Sequence, residues 1–143
     1  MAKAFGSGAL RISVTLPNFE KYLEKIEAAG NDIYTACEVA INASLPTVEK
    51  YMKEGAEKHH RTGDVIRAIE STPAKREGDY VYGTVGIDLQ KHPEAGHGVY
   101  EEYGDGHSKE FPDPFIRPSF DEHKSEIRSI QRAELKKAGV PIE

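Results

Sequence analysis

The 143-residue chain has a single cysteine and a net negative charge. It lacks any apolar run of membrane-span length. Each of these features removes a class of function. With Cys37 alone, an internal disulfide is impossible and a cysteine-based zinc site has no ligand set. Cys37 sits in an apolar helical pattern and reads as a small core residue, so a reducing compartment is the expectation. No stretch approaches the roughly 20 apolar residues that cross a bilayer, and the first residues form no signal-peptide hydrophobic region. The chain is therefore expected to be made and kept in a cytoplasm, unless it leaves inside a larger particle. Its 24 Asp and Glu outnumber its 19 Lys and Arg, which argues against binding nucleic acid through a broad basic surface. A local basic patch stays open, because the last helical segment carries several Lys and Arg. There is no internal repeat, low-complexity tract or long linker. One domain over residues 1–143 is expected, with flexible ends at about 1–8 and 139–143.

Recognisable reaction chemistry is also scarce. His59, His60, His92, His97, His107 and His123 raise the question of a metal, but no His-x-x-x-His pair or zincin motif is present, and solvated loop histidines are the simpler reading. Glu101 and Glu102, with Asp105 nearby, are adjacent carboxylates that would point apart on a strand; they read as surface charge. The glycine turns Thr62-Gly63-Asp64 and Gly104-Asp105-Gly106 match no phosphate loop and are expected to serve positive φ or close approach. No serine lies in a nucleophile-elbow pattern.

What is present is clear periodicity. Leu10, Ile12, Val14 and Leu16 alternate with polar residues, which predicts a half-buried strand. Phe19, Tyr22, Leu23, Ile26 and Ala29 predict a short helix. Ile33, Ala36, Cys37, Ala40, Ile41, Leu45, Val48 and Met52 predict a long helix ending near His59, with a kink or joint at Pro46. One further helical turn is expected at Val65, Ile66 and Ile69. Residues 70–74 predict a strand that Pro73 places at a sheet edge. Tyr80–Ile87 predicts another, with Val81, Val85 and Ile87 on one face and Tyr80, Tyr82 and Thr84 on the other. Residues 88–98 read as a loop and 99–103 as a short ordered piece of open type. From Asp121 a last helix buries Ile127, Ile130 and Leu135 and stops at Gly139 and Pro141. The fold class is α+β: a small, mostly antiparallel sheet packed by a long helix in the N-terminal half and a C-terminal helix.

The segment Phe111–Phe120 holds three prolines and three phenylalanines in ten residues. Proline fixes its own backbone and biases the preceding residue toward extended conformations, so the segment reads as a stiff docking element. Arg117 beside large aromatics matches the composition of interface hot spots. For Phe115 and Arg117 the residues alone leave interface and core both open; Phe120 reads as core.

Three segments carry a family resemblance. Thr62-Gly63-Asp64-Val65-Ile66-Arg67-Ala68-Ile69 resembles a Thr-Gly-x-hydrophobic turn. Tyr100-Glu101-Glu102-Tyr103-Gly104 resembles a Tyr-x-x-Glu-aromatic-Gly segment. Pro112-Asp113-Pro114-Phe115-Ile116-Arg117-Pro118-Ser119 resembles a Pro-x-x-Pro-Phe-hydrophobic-Arg-Pro-Ala signature, one residue shorter here. In that order, after a long helix and before a C-terminal one, they resemble the small lambdoid-type tail-completion or head–tail joining proteins of tailed bacteriophages. Asp105 and Ser119 depart from the family pattern, and residues 91–97 have no counterpart in it. The resemblance implies a non-enzymatic structural subunit without cofactor or metal. It implies a homo-oligomeric ring, commonly a hexamer, in the neck of a virion assembled in a bacterial host. The ring's partners would be tail-tube and head-connector proteins, and DNA would pass through it without specific binding. Tyr103, Gly104, Pro114, Phe115, Arg117 and Pro118 are the expected subunit-interface residues. An acidic lumen that repels phosphate would suit such a conduit. A metal-dependent hydrolase using the histidines with Glu102, and a protein-binding adaptor domain, are the competing readings.

Overall fold

In a computed structural model of the chain, residues 2–4, 10–15, 24, 33–59, 63–78, 80–104, 106–107, 109 and 112–140 are described. Apart from Glu24, which is helical, the helix expected over 19–29 lies outside them, as do Leu16, His60, Asp105 and Phe111.

Four antiparallel strands form one sheet in the order β1-β2-β4-β3: β1 (Ala2–Ala4), β2 (Leu10–Val14), β3 (Glu70–Glu77) and β4 (Tyr80–Ile87). In the centre, Leu10 pairs with Ile87 and Val14 with Gly83. One face of the sheet is covered by α1 (Ile33–Glu57), whose buried residues include every member of the apolar stripe read from the sequence, Cys37 among them, and α2 (Asp64–Ala68) is the short helical turn expected next. The α+β class is therefore as expected. Among the described residues, no helix is long and apolar enough to cross a membrane.

β3 is an edge strand, as Pro73 requires. Its register shifts between Thr72 and Lys75. The Ala74 N–H within that irregularity donates instead to Asn42 Oδ1 on α1, at 2.7 Å. A strand that proline interrupts is thus tied to the helix beneath it. The alternation in β4 is also as expected. Val81, Val85 and Ile87 join the core, and the rings of Tyr80 and Tyr82 lie 5.4 Å apart on the opposite face.

Several expectations need correction. α1 runs unbroken through Pro46, which is exposed, while Leu45 and Val48 hold the buried stripe on either side of it. Residues 88–98 are not all loop: they contain a 3₁₀ turn (Pro93–Ala95) and the start of α3 (His97–Tyr103). The chain becomes helical before Asp121, in α4 (Ile116–Asp121), and again in α5 (Lys124–Lys137). Pro118 is the third residue of α4, where a missing N–H costs no helical hydrogen bond, so the stiff segment ends inside a helix.

On α5 the buried residues are Ile127, Gln131 and Leu135, whereas Ile130 is only half-buried. Gln131 replaces the expected isoleucine because its Nε2 reaches the Thr15 carbonyl (3.2 Å) and Ser44 Oγ (3.4 Å). Ala2–Ala4 pairs with β2. Beyond α5, Gly139 (φ +87°) lets the Gly139 N–H reach the Lys136 carbonyl and the Val140 N–H reach Leu135. That pair of hydrogen bonds is a Schellman closure, and it seats Val140 in the core.

The core extends from the sheet to α3 and α4 through Phe115, which is buried together with Phe120. Gly55 on α1 makes room for it: a Cβ there would lie 3.0 Å from Phe115 Cβ and 3.3 Å from its Cα. A Cβ on Gly98 of α3 would lie 3.4 Å from Phe115 Cζ and 3.6 Å from Val65. Replacing Gly55 with Val is expected to cost about 1–3 kcal/mol by overpacking, read as a lower urea midpoint. An unchanged midpoint would mean that Phe115 is not seated against α1.

Candidate functional site

The residues expected at a subunit interface come from two short helices that meet at one buried carboxylate. Phe115 precedes α4 without a side-chain cap, so the N–H groups opening the helix have no local acceptor. Glu102, from α3, supplies one. Its Oε1 accepts from the Phe115 N–H (3.0 Å) and the Ile116 N–H (2.9 Å). Its Oε2 accepts from Arg117 Nε at 2.6 Å, and Arg117 Nη2 donates to the Glu102 carbonyl at 3.1 Å. Both carboxylate oxygens and the backbone of one residue therefore hold three successive residues of the α4 start.

Glu102 is 1 % exposed, whereas the side chain of Arg117 is 52 % exposed. The hydrogen bond to Glu102 raises the Arg117 pKa above its already high range, against a smaller lowering effect of burial. The guanidinium is thus charged wherever the domain is folded. A charge-assisted bond of this geometry, with the carboxylate desolvated, is stronger than an ordinary surface ion pair.

The expectation that Glu101 and Glu102 are surface charge is overturned, since both are buried. The segment is a helix rather than a strand, and it is turned against ordinary polarity. Its glutamates face inward, while Tyr100 (50 % exposed) and Tyr103 (55 % exposed) face outward. The Arg117 guanidinium carbon lies 5.6 Å from the Tyr103 ring centroid, in cation–π range. The ring of His97 stands edge-on to Tyr100 at 6.2 Å.

All six expected interface residues gather at this junction, in different roles. Tyr103 and Arg117 are exposed side by side. Gly104 ends α3 at φ +90°, with its N–H on the Tyr100 carbonyl; with Gly63 (φ +83°) and Gly106 (φ +80°), it meets the expectation of positive φ in the glycine turns. Pro114 and Pro118 are half-buried and line a cleft of about 210 Å³ that also takes in Tyr51, Lys58 and His123. Phe115 is the correction. At 2 % exposure it is a core residue of its own domain and offers no side chain to a neighbour. Its backbone and Cβ lie against Gly55 and its ring tip against Gly98, which no local motif around residue 115 announced.

Two further contacts involve α1 and the turn that follows it. His59 Nε2 lies 2.8 Å from Asp113 Oδ2, and the Asp113 N–H donates to the Glu101 carbonyl at 2.8 Å. The Tyr51 hydroxyl donates to Glu126 Oε2 at 2.5 Å, which raises the Tyr51 pKa, and the Tyr51 ring stacks on His123 at 3.4 Å. Ser119, where the family pattern has Ala, is buried and donates its hydroxyl to the Ile116 carbonyl at 2.5 Å. It fills an alanine-like site with its polar atom satisfied.

The described histidines form no common cluster. His59 meets Asp113, His92 meets Glu94, His97 meets Tyr100 and His123 meets Tyr51. Among the described residues, no three His, Cys, Asp or Glu side chains form a group that could hold a metal ion. Tyr100 and the anchoring role of Glu102 were missed as site features. The signal that could have found them is the Tyr-x-x-Tyr spacing around a glutamate pair, which places both rings on one helical face. Compared with protein-family models, curated proteins and solved structures, the chain has no match.

The clamp is asymmetric, and that makes it testable. Glu102→Ala strands two backbone donors and one guanidinium and is expected to cost roughly 2–4 kcal/mol. Arg117→Ala leaves Glu102 its two backbone donors and is expected to cost clearly less. Chemical denaturation of both variants measures this; equal losses would contradict the arrangement.

Proposed function

We propose that this chain is a non-enzymatic subunit of a tailed-bacteriophage neck, a tail-completion or head–tail joining protein that assembles into a ring. Its station would be the virion, with itself and the adjoining tail-tube and head-connector proteins as partners. One observation carries the proposal: the inverted polarity of α3. Two tyrosines and a guanidinium stand exposed on a surface whose carboxylates are buried beneath them. Tyrosine and arginine are the side chains that concentrate binding energy at protein interfaces. Holding them outward by a buried ion pair fits a preformed docking surface better than a solvated helix.

A second feature supports the family reading. The three segments that carry the resemblance are parts of one packed unit. Val65 from the first and Phe115 from the third both lie against Gly98 in α3, which also carries the second. The interface proposed from the resemblance is accordingly refined. Tyr100, Tyr103 and Arg117 make the contact, Pro114 and Pro118 shape its border, and Phe115 supports it from inside. A small domain with such a face and a different complementary surface closes a ring through repeated head-to-tail contacts.

Light scattering and negative-stain imaging of the purified chain test this. The parent is expected to form rings, alone or on tail tubes, and Tyr100→Ser with Tyr103→Ser is expected to abolish them without a loss of melting temperature. Rings that survive the double substitution, or a chain that remains monomeric with and without tail tubes, would contradict the proposal.

A further inference from the structure

Outside that junction several surface cations are paired with a carboxylate. Lys53 pairs with Glu49, Arg67 with Asp64, Lys91 with Glu70, Lys124 with Asp121 and Lys137 with Glu134. Three of the cations without a paired carboxylate form a row. Arg128, Arg132 and Lys136 recur every fourth residue along α5 and are exposed. Among the described residues, none of the three has an acidic side chain within ion-pair distance. Each follows a buried position, Ile127, Gln131 or Leu135, so the row runs beside the seam that fixes α5 to the domain. Ser125, Ser129 and Ala133 lie on the same exposed helix face, between and beside the cations. In a chain of net charge −5, three adjacent unmatched cations are a local reversal of sign.

We infer that this face of α5 is a sequence-independent contact for the phosphate backbone of duplex DNA. Successive cations are about 6 Å apart along the helix axis. The row is thus about 12 Å long and spans three to four charges of one strand, at about 3.4 Å each. Serine hydroxyls between the cations are further phosphate donors. The alternative occupant, an acidic protein, is disfavoured by what the face lacks. No apolar side chain larger than Ala133 lines it, and a stable protein interface needs a desolvated apolar or aromatic centre, whereas a phosphate backbone needs none. The inference does not depend on ring formation: the stripe lies on α5, away from Tyr100 and Tyr103 on α3, and is complete within one chain.

Fluorescence anisotropy of a labelled random-sequence duplex, titrated with the full chain, tests it. Binding is expected at low salt with little sequence preference. Three phosphate contacts predict a slope of log affinity against log salt of about −2.7, which is about a 40-fold loss between about 50 and 200 mM salt. The variant Arg128→Gln/Arg132→Gln/Lys136→Gln is expected to lose binding at least tenfold and to flatten the slope. A control, Lys50→Gln/Lys53→Gln/Lys91→Gln, removes the same net charge elsewhere and is expected to bind nearly as the parent does. Absence of binding at low salt, or equal losses in the two variants, would overturn the inference. So would tighter binding of poly-glutamate than of the duplex at equal charge, which would assign the stripe to an acidic protein. Ring formation is scored separately by light scattering on the same samples, so failure of the neck proposal and failure of this one are distinguishable.

Discussion

The start of α4 presents backbone N–H groups that no helical carbonyl and no local side chain can accept. The carboxylate of Glu102 accepts two of them and the Arg117 Nε as well. That constraint sets much of what surrounds it. It fixes the rotation of α3, because Glu102 must point inward, and so turns Tyr100 and Tyr103 outward. It fixes the entry of α4, because Phe115 must descend toward Gly55 and Gly98 while Arg117 stays at the surface. A buried ion pair is a poor source of net stability compared with an apolar contact of the same volume. Here its value is directional: it joins two short helices, neither long enough to be stable alone, in one orientation.

Legibility from sequence followed the length over which a pattern repeats. α1 and β4 carry sustained periodicity, and their buried faces were readable residue by residue. Pro73 named an edge strand, and Gly139 named the end of α5. Shorter elements were misread. α3 has seven residues and violates ordinary polarity, so its glutamates looked like surface charge. The carboxylate that caps α4 comes from 13 residues upstream, beyond the reach of any capping motif. The core role of Phe115 depends on glycines in two other helices, and that of Gln131 on a carbonyl at the end of β2. Such long-range pairings leave no periodic trace. The site itself was half legible: composition drew attention to the proline-aromatic segment and to Tyr103, but could not say which aromatic ring points in.

The two exposed features then divide the surface by chemistry. The α3–α4 junction offers aromatic rings and one neutralised guanidinium, suited to another folded protein. The outer face of α5 offers three unmatched cations and hydroxyls, suited to phosphate. On the proposal that the chain is a neck subunit, this division has a simple logic: subunits would associate through the tyrosines, and passing DNA would be met by one narrow stripe. Weak contacts of that kind guide a polyanion without arresting it, because each is lost to ordinary salt screening.

The central claim is that Glu102 holds the start of α4 in the folded core. Amide hydrogen exchange at Phe115 and Ile116 tests it most directly. The first N–H groups of a six-residue helix exchange rapidly when only water accepts them, and slowly when a buried group does. The account predicts that both amides exchange as slowly as those of β4, through global unfolding. Rapid exchange at Phe115 and Ile116 while β4 stays protected would contradict it.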